Sequence, residues 1–231
     1  MTLYIPLSML QEVSVKVLLH FLTRGGLVIL SLLVSVGTLT ASDTIPPASQ
    51  AMVTRLPEDR FMGRDEASVT VIDYSSLTCP HCADFHTQIL PIFKKNYIDT
   101  GKVKFIYRDF SVDPVATAAA MLARCISQEM YFPFLDVLFS NQKTWSRASK
   151  PRQSLVKLAR LSGLTETDVN QCLSDATLLD DLNAMKNEAI GRHGIKATPS
   201  FIIGGRTYVG VTSYDALASL VETELQKIHK K

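Results

Sequence analysis

Short apolar runs along the chain predict four β-strands. Two stretches rich in β-branched and aromatic residues, 69–74 (VTVIDY) and 102–107 (KVKFIY), are typical of strands with a buried face. Two more apolar runs, 201–203 and 207–209, stand on either side of a Gly–Gly pair, which is typical of a hairpin turn.

Helical spacing of apolar residues dominates the rest of the chain. One predicted helix begins at Cys79, and Pro91 is expected to kink it rather than end it, because two lysines still supply a cationic last turn. Between residues 114 and 194 the pattern is helical almost throughout. The predicted segments there are helices over 115–129, 132–139 and 155–161, a capping pair at Thr165 and Asp168 before a turn that leads to Cys172, and a last helix ending near 191–193. A C-terminal helix is predicted over 214–228.

The order of these elements predicts an α/β protein. Strand, helix, strand, a large helical block, a hairpin and a final helix fit one mixed β-sheet flanked by helices, with the helical block inserted into it. The corresponding boundaries are a linker over 43–60, the sheet-containing domain over 61–113 and 195–231, and the helical insertion over 114–194.

The first 42 residues have the features of an export signal. Lys16 and Arg24 precede an apolar run over 27–39, which is followed by small residues and a polar, Pro-containing stretch. The run is shorter than the roughly 20 apolar residues that span a membrane, and extending it upstream brings Arg24 into the bilayer. Residues 1–42 are therefore expected to be a signal peptide or an uncleaved signal anchor, and the rest of the chain is expected to be exported.

Composition and charge are those of an ordinary globular protein. The chain is 46% hydrophobic and 20% charged, and its formal net charge is only +2 at pH 7. No run of Lys or Arg stands out apart from Lys230–Lys231. A charge this small gives no indication of binding to nucleic acid or to a membrane surface.

Cys79-Pro80-His81-Cys82 is the strongest candidate for chemistry, because it lies where the first predicted strand gives way to a helix. Free N–H groups and the macrodipole at a helix N-terminus stabilise a thiolate at Cys79 and lower its pKa below the usual value of about 8.5. Pro80 is tolerated in the first turn, and His81 adds a hydrogen-bond donor or a positive charge beside the thiolate. Cys82 lies on the same helical face, so it can bridge to Cys79 and resolve a mixed disulfide formed there.

Other interpretations of the cysteine pair have less support. A c-type haem attachment needs a histidine directly after the second cysteine, where this chain has Ala83. A zinc site would draw on Cys79, Cys82 and His86 but lacks the second Cys/His pair of structural zinc sites, so no metal is assigned. A structural disulfide or an inactive motif stays open as the alternative to catalysis, and His86 is expected on the helix surface.

Two residues distant from the motif add to the redox interpretation. Asp73 lies in the middle of an otherwise apolar predicted strand, and it either points to solvent at a strand edge or is half-buried. A half-buried carboxylate beneath the motif can accept or relay the proton of Cys82. Thr198-Pro199 precedes a predicted strand, and because proline cannot sit within a central strand, Pro199 must open it and is a candidate for a cis peptide bond.

With these residues the chain resembles the thioredoxin superfamily and, within it, the DsbA-like periplasmic oxidases of the alphaproteobacterial type. The resemblance rests on 73–82 (DYSSLTCPHC), on 197–201 (ATPSF) and on the helical insertion between them. It implies a thioredoxin fold, which is a central mixed β-sheet flanked by helices, with an inserted α-helical domain. The CPHC variant is typical of DsbA oxidases, whereas thioredoxins usually have Gly-Pro between the cysteines.

The resemblance also implies a role for each matching residue. Cys79 would be the exposed nucleophile and Cys82 the buried resolving cysteine, with Asp73 at the family's buried acidic position. Pro199 would be a cis proline facing the disulfide, and Thr198 would present its backbone to a substrate peptide.

The function expected from the resemblance is oxidation of thiols in exported, incompletely folded proteins in the periplasm, without a soluble cofactor. Reoxidation is expected from a DsbB-like, quinone-linked membrane protein, and the chain is expected to be a monomer that binds no nucleic acid. A disulfide isomerase or reductase of the same fold and a redox-inactive peptide-binding module are the alternatives.

Cys125 and Cys172 form a second cysteine pair on separate predicted helices. They are either two buried free thiols, which pack as small apolar residues, or a structural disulfide. Two free thiols in an exported protein would be at risk of exchange with the chain's own redox pair, which favours the bridge. Some DsbA-like proteins of the alphaproteobacterial type have such a pair, and the resemblance supports a structural, non-catalytic disulfide here.

Overall fold

The structure, a computed structural model, describes residues 58–230. The predicted signal segment 1–42 and nearly all of the predicted linker 43–60 lie outside the described residues. Within residues 58–230, none of the helices is long and apolar enough to cross a membrane.

A five-stranded mixed sheet forms the centre of the described part of the chain, in the order β1-β3-β2-β4-β5. The strands are β1 Arg60–Met62, β2 Val69–Ser75, β3 Val103–Asp109, β4 Ser200–Ile203 and β5 Arg206–Val209. The central pair, β2 and β3, is parallel, and the other neighbours are antiparallel. All four predicted strands are confirmed.

β1 is an addition to the prediction, and its first residue, Arg60, corrects the predicted end of the linker. Only three residues of β1 pair with β3, in the register Arg60 to Tyr107. A strand this short shows no periodicity of its own, so only the tertiary pairing reveals it.

Helices cover both faces of the sheet. The helices are α1 Pro80–Asp84, α2 Leu90–Phe93, α3 Pro114–Cys125, α4 Gln128–Ser140, α5 Gln142–Ser146, α6 Pro151–Leu161, α7 Glu166–Leu173, α8 Ala176–His193 and α9 Tyr214–His229. Val71 and Phe201 on one face share a core with residues of α2 and α9. Tyr74 and Ile202 on the other face share a core with residues of α8. Because both faces are covered, most positions of β2 and β3 are buried, instead of only every second one.

α1 and α2 belong to one helical run from Pro80 to Ile98. Each is followed by a π-helical turn, Phe85–Ile89 after α1 and Lys94–Ile98 after α2. Pro91 lies inside the run, and the π-helical turn before it loosens the hydrogen-bond ladder where proline has no N–H to donate. The run therefore continues through Pro91, as predicted.

Helices α3 to α8 fill the chain between β3 and β4. The predicted helix over 115–129 is wrong at its end. The helix α3 ends at Cys125, Ile126 has an extended backbone, and a new helix begins after Ser127. The predicted turn after Thr165 is the helix α7, which begins with the capping box that Thr165 and Asp168 form. α5 was not predicted, since five residues are too few for a helical period to be recognised. The mixed sheet with flanking helices and a helical insertion is otherwise as expected.

Cys125 and Cys172 form a disulfide that joins the end of α3 to α7, with their Cα atoms 6.3 Å apart. Replacing both by alanine is expected to lower the free energy of unfolding by about 4 kcal/mol, because the bridge closes a loop of 47 residues and restricts the unfolded chain. Denaturant unfolding without reductant measures this loss. The single variant Cys125→Ala is the control and should lose nearly as much, since either substitution removes the bridge. A loss under about 0.5 kcal/mol in the double variant would contradict a stabilising role.

Candidate active site

Cys79 lies where β2 ends and the helical run 80–98 begins. It is the N-cap of α1, with an extended backbone, and Pro80 takes the first helical position. Pro80 and His81 are exposed, Cys79 is half-buried and Cys82 is buried. Both thiols are free, so the structure represents the reduced form of the pair.

The surroundings of Cys79 stabilise its thiolate. A hydrogen bond from Cys82 is the largest cause that lowers the pKa of Cys79, to about 5, and partial burial opposes this shift. The Thr198 side chain and the backbone N–H groups of Cys82 and His81 lower the pKa further. The helix N-terminus predicted from the sequence is thus one of the causes, and the second cysteine contributes more.

Cys82 has the opposite environment. Burial is the largest cause that raises its pKa well above the ordinary value, followed by the hydrogen bond with Cys79 and the negative charge of Asp73. Its Sγ accepts a hydrogen bond from the backbone N–H of Ser76 at 3.4 Å. One sulfur of the pair is therefore an ionised, accessible nucleophile, and the other is a protonated, enclosed thiol.

Asp73 is completely buried beneath the motif, which goes further than the half-burial considered from the sequence. Its Oδ1 accepts a hydrogen bond from the Ser75 hydroxyl at 2.6 Å, and its Oδ2 lies 2.8 Å from Nε2 of His86. A buried carboxylate requires such partners, because an unpaired charge in the interior is very costly. Ser75 also hydrogen-bonds the Cys82 side chain, so one hydroxyl lies between the carboxylate and the buried sulfur.

The prediction that His86 lies on the helix surface is wrong. The side chain is only 3% exposed, and its ring stacks on Phe139 with the centroids 4.0 Å apart. Because residues four apart share a helical face, His86 follows the buried Cys82 into the interior. That spacing, together with a carboxylate in a central strand that needs a partner, is the signal that identifies His86 from the sequence.

Thr198 and Pro199 come to the redox pair through the pairing of β4 with β2. Gly194 ends α8 in the left-handed conformation, with φ of +64°, and turns the chain toward this loop. The Thr198–Pro199 peptide bond is cis. Sγ of Cys79 lies 3.4 Å from the Thr198 carbonyl oxygen, so the loop lies directly against the nucleophile.

Side chains from beyond β3 hold the turn that precedes Cys79. The amide of Gln142 donates to the carbonyl oxygens of Leu77 and Cys79, both at 2.9 Å. The Thr78 hydroxyl donates to Oδ2 of Asp113 at 2.6 Å. The sequence analysis missed both contacts, because they join residues 35 to 65 positions apart and no local pattern marks them.

The site thus brings together the predicted redox, acidic and loop residues, namely Asp73, Cys79, Pro80, His81, Cys82, Thr198 and Pro199. Cys125 and Cys172 belong instead to the insertion, where they join α3 to α7. Within residues 58–230, no three His, Cys, Asp or Glu side chains are grouped to hold a metal ion, and His86, considered above for zinc, pairs with Asp73. A thiolate and a thiol in bridging reach are suited to disulfide exchange with another protein.

Comparisons with known proteins agree with this geometry. The family model described as Thioredoxin matches residues 55–223. A Rickettsia felis relative, provisionally named as a protein-disulfide oxidoreductase, is 32% identical over 75% of this chain, which spans 62% of that relative's own length. The crystal structure of Wolbachia pipientis alpha-DsbA1 is 32% identical, with a TM-score of 0.70 over 77% of this chain and 96% of that one. The structure of BdbD from Bacillus subtilis, 23% identical with a TM-score of 0.66 over 75% of this chain and 97% of that one, supports the fold alone.

Proposed function

Because the chain belongs to the thioredoxin superfamily, among its DsbA-like members, we propose that it is a dithiol–disulfide oxidase that introduces disulfide bonds into exported proteins. The observation that carries the proposal is the contrast between an ionised Cys79 and a protonated, buried Cys82. A strongly stabilised thiolate favours the reduced form of the pair, so the disulfide form is a strong oxidant.

The proposed reaction starts from the Cys79–Cys82 disulfide. A substrate thiolate attacks Sγ of Cys79, the bond between the two cysteines breaks, and Cys82 leaves and takes up a proton. A second substrate thiolate then attacks the substrate sulfur of the mixed disulfide and releases Cys79 as a thiolate. The substrate loses two electrons and gains a disulfide bond, and the enzyme pair is reduced.

Cys82 takes up a proton as it leaves, and we propose that the buried Asp73 carboxylate passes this proton on rather than supplying it. Burial disfavours a Cys82 thiolate, so this sulfur is a poor leaving group unless a proton reaches it. Ser75 links Asp73 to Cys82, and this arrangement supports a proton relay from beneath the motif. His86 holds the other carboxylate oxygen at 2.8 Å and fixes the orientation of Asp73.

The cis-proline loop is the proposed docking position for the substrate. The Thr198 carbonyl oxygen lies 3.4 Å from Sγ of Cys79, so a substrate sulfur bonded to Cys79 would lie against the same backbone. We therefore propose substrate binding as the role of Thr198 and Pro199, which is also what the resemblance implies.

The proposed compartment is the periplasm, on the basis of the export signal in residues 1–42. The proposed substrates are unfolded or partly folded exported proteins with free thiols. The proposed reoxidant is a DsbB-like membrane protein, and the chain is proposed to act as a monomer.

A substrate assay separates the oxidase from the isomerase. The oxidised full chain, added to a reduced and unfolded substrate protein, is expected to form one substrate disulfide for each enzyme disulfide consumed within the first turnover. The matched assay adds the reduced chain to the same substrate with scrambled disulfides, where little recovery of native protein is expected. Rapid recovery of the scrambled substrate, with little oxidation of the reduced one, would identify an isomerase instead.

A further inference from the structure

Gln142 joins the helical insertion to the turn that carries the nucleophile. It is the first residue of α5 and is only 3% exposed. Its side-chain amide donates to the Leu77 and Cys79 carbonyl oxygens. Because both partners are acceptors, the amide nitrogen faces the turn and both of its hydrogens are used.

The amide is held on a rigid support. Trp145, three residues further along, is 1% exposed, and its indole N–H donates to the Leu138 carbonyl at 2.7 Å. This bond ties α5 to α4, whose Leu138 belongs to the same core as Leu77. Gln142 therefore reaches the turn from a fixed position, unlike a glutamine on the protein surface.

The two carbonyls that Gln142 binds lie on either side of Thr78, immediately before the first turn of α1. The Cys79 carbonyl also accepts the first hydrogen bond of that helix, from Ala83 N–H at 3.2 Å. The backbone N–H groups of His81 and Cys82 that stabilise the Cys79 thiolate belong to this first turn. Fixing the carbonyls keeps those N–H groups directed at the sulfur, and the N–H dipoles of Gln142 add partial positive charge beside Cys79.

We infer that Gln142 is a positioning residue of the redox site, which stabilises the Cys79 thiolate relative to the disulfide through the carbonyls of Leu77 and Cys79. The inference rests on the proposed oxidase function, in which thiolate stability sets the oxidising strength. Negative charge is present on Cys79 only in the reduced form, so Gln142 contributes more to the reduced form than to the oxidised one. A residue that only supported the fold would contribute equally to both.

The variant Gln142→Met tests the inference in the full chain, because it keeps the length of the side chain and removes both donors. We expect its equilibrium with reduced and oxidised glutathione to move about tenfold toward the disulfide. The ultraviolet absorbance of the thiolate is expected to titrate with the pKa of Cys79 raised by about one unit. Asn141→Leu is the matched control, because the Asn141 amide is exposed and, among residues 58–230, donates to the Val137 carbonyl oxygen in α4 and not to the Cys79 turn. Both quantities should stay at the wild-type values.

Thermal unfolding of both redox forms completes the test. If Gln142→Met does not fold, Gln142→Asn, which keeps the amide but shortens its reach, is expected to shift both quantities in the same direction. A folded Gln142 variant with the wild-type equilibrium constant and Cys79 pKa would overturn the inference, even if its melting temperature were lower in both forms. A thioredoxin-like constant for the unaltered chain would overturn the oxidase proposal instead, and the ratio of variant to wild type would still test Gln142.

Discussion

Replacing Cys79 by serine is expected to lower the rate of substrate oxidation by at least about a thousandfold, within the range that loss of a catalytic nucleophile costs. Serine cannot form a disulfide, so the variant has neither the internal Cys79–Cys82 bond nor a mixed disulfide with substrate. The side chain is half-buried and changes only from sulfur to oxygen, so the fold should be retained. The rate at which a reduced, unfolded substrate gains disulfides measures the effect, with thermal unfolding as the check on the fold.

Cys82→Ser is the matched control for this prediction. The variant keeps the nucleophile, and the serine hydroxyl can still donate a hydrogen bond to the Cys79 thiolate. It should therefore attack a disulfide-bonded substrate and form a mixed disulfide that no second cysteine resolves. We expect a covalent complex that survives denaturation and is released by reductant. A Cys79→Ser chain that suppresses aggregation of unfolded proteins as well as wild type, combined with no covalent complex from Cys82→Ser, would point to the redox-inactive binding module.

Residues whose placement depends on near neighbours could be predicted from the sequence. Cys79 follows a strand-forming run and precedes Pro80, so its position at a helix N-terminus is local information. The same holds for the capping box of Thr165 and Asp168, where the residue types and their spacing define the contact. Pro199 lies directly before β4, which follows from proline's lack of an N–H group to donate within a sheet.

Residues whose placement depends on distant parts of the chain could not be predicted in the same way. Gln142 is of a type that is usually exposed, and it is buried here because the carbonyls of a turn more than 60 residues away need donors. β1 exists because β3 offers an unpaired edge, which its own three residues do not reveal. His86 lies between these cases: its burial follows from its spacing to Cys82, but its partner Asp73 follows only from the packing of the helical run on the sheet.

The Cys79–Cys82 pair is expected to have a reduction potential far above the about −270 mV of thioredoxin, toward the about −120 mV of DsbA. The physical reason is the lowered pKa of Cys79, which stabilises the reduced form. The gap between the two reference values corresponds to a factor of about 10⁵ in the equilibrium constant, so the measurement in glutathione buffers is decisive. A thioredoxin-like value would contradict the oxidase and favour a reductase or isomerase kept reduced by a partner.

The pH dependence of the same equilibrium tests whether the lowered pKa of Cys79 is the cause of the high reduction potential. Reduction by two glutathione molecules leaves Cys79 as a thiolate and Cys82 as a thiol, so one proton is released whenever the pH exceeds the pKa of Cys79, about 5. The equilibrium constant for reduction should therefore rise about tenfold per pH unit between about pH 5 and about pH 8.5, where ordinary thiols ionise. Below about pH 5 it should be independent of pH.

The folding stability of the reduced chain should also increase with pH. The pKa of Cys79 is lower in the folded chain than in the unfolded one, so its contribution is fully present above about pH 8.5 and is lost as the pH falls through about 5. The oxidised chain lacks the titrating Cys79 thiol, so it is the control for all other groups whose ionisation changes the stability. The melting temperature of the reduced chain, relative to that of the oxidised chain, should therefore decrease as the pH is lowered from about 8.5 to about 5. A constant difference across this range would mean that the thiolate is not stabilised by the fold, and the physical basis for a strongly oxidising disulfide would be lost.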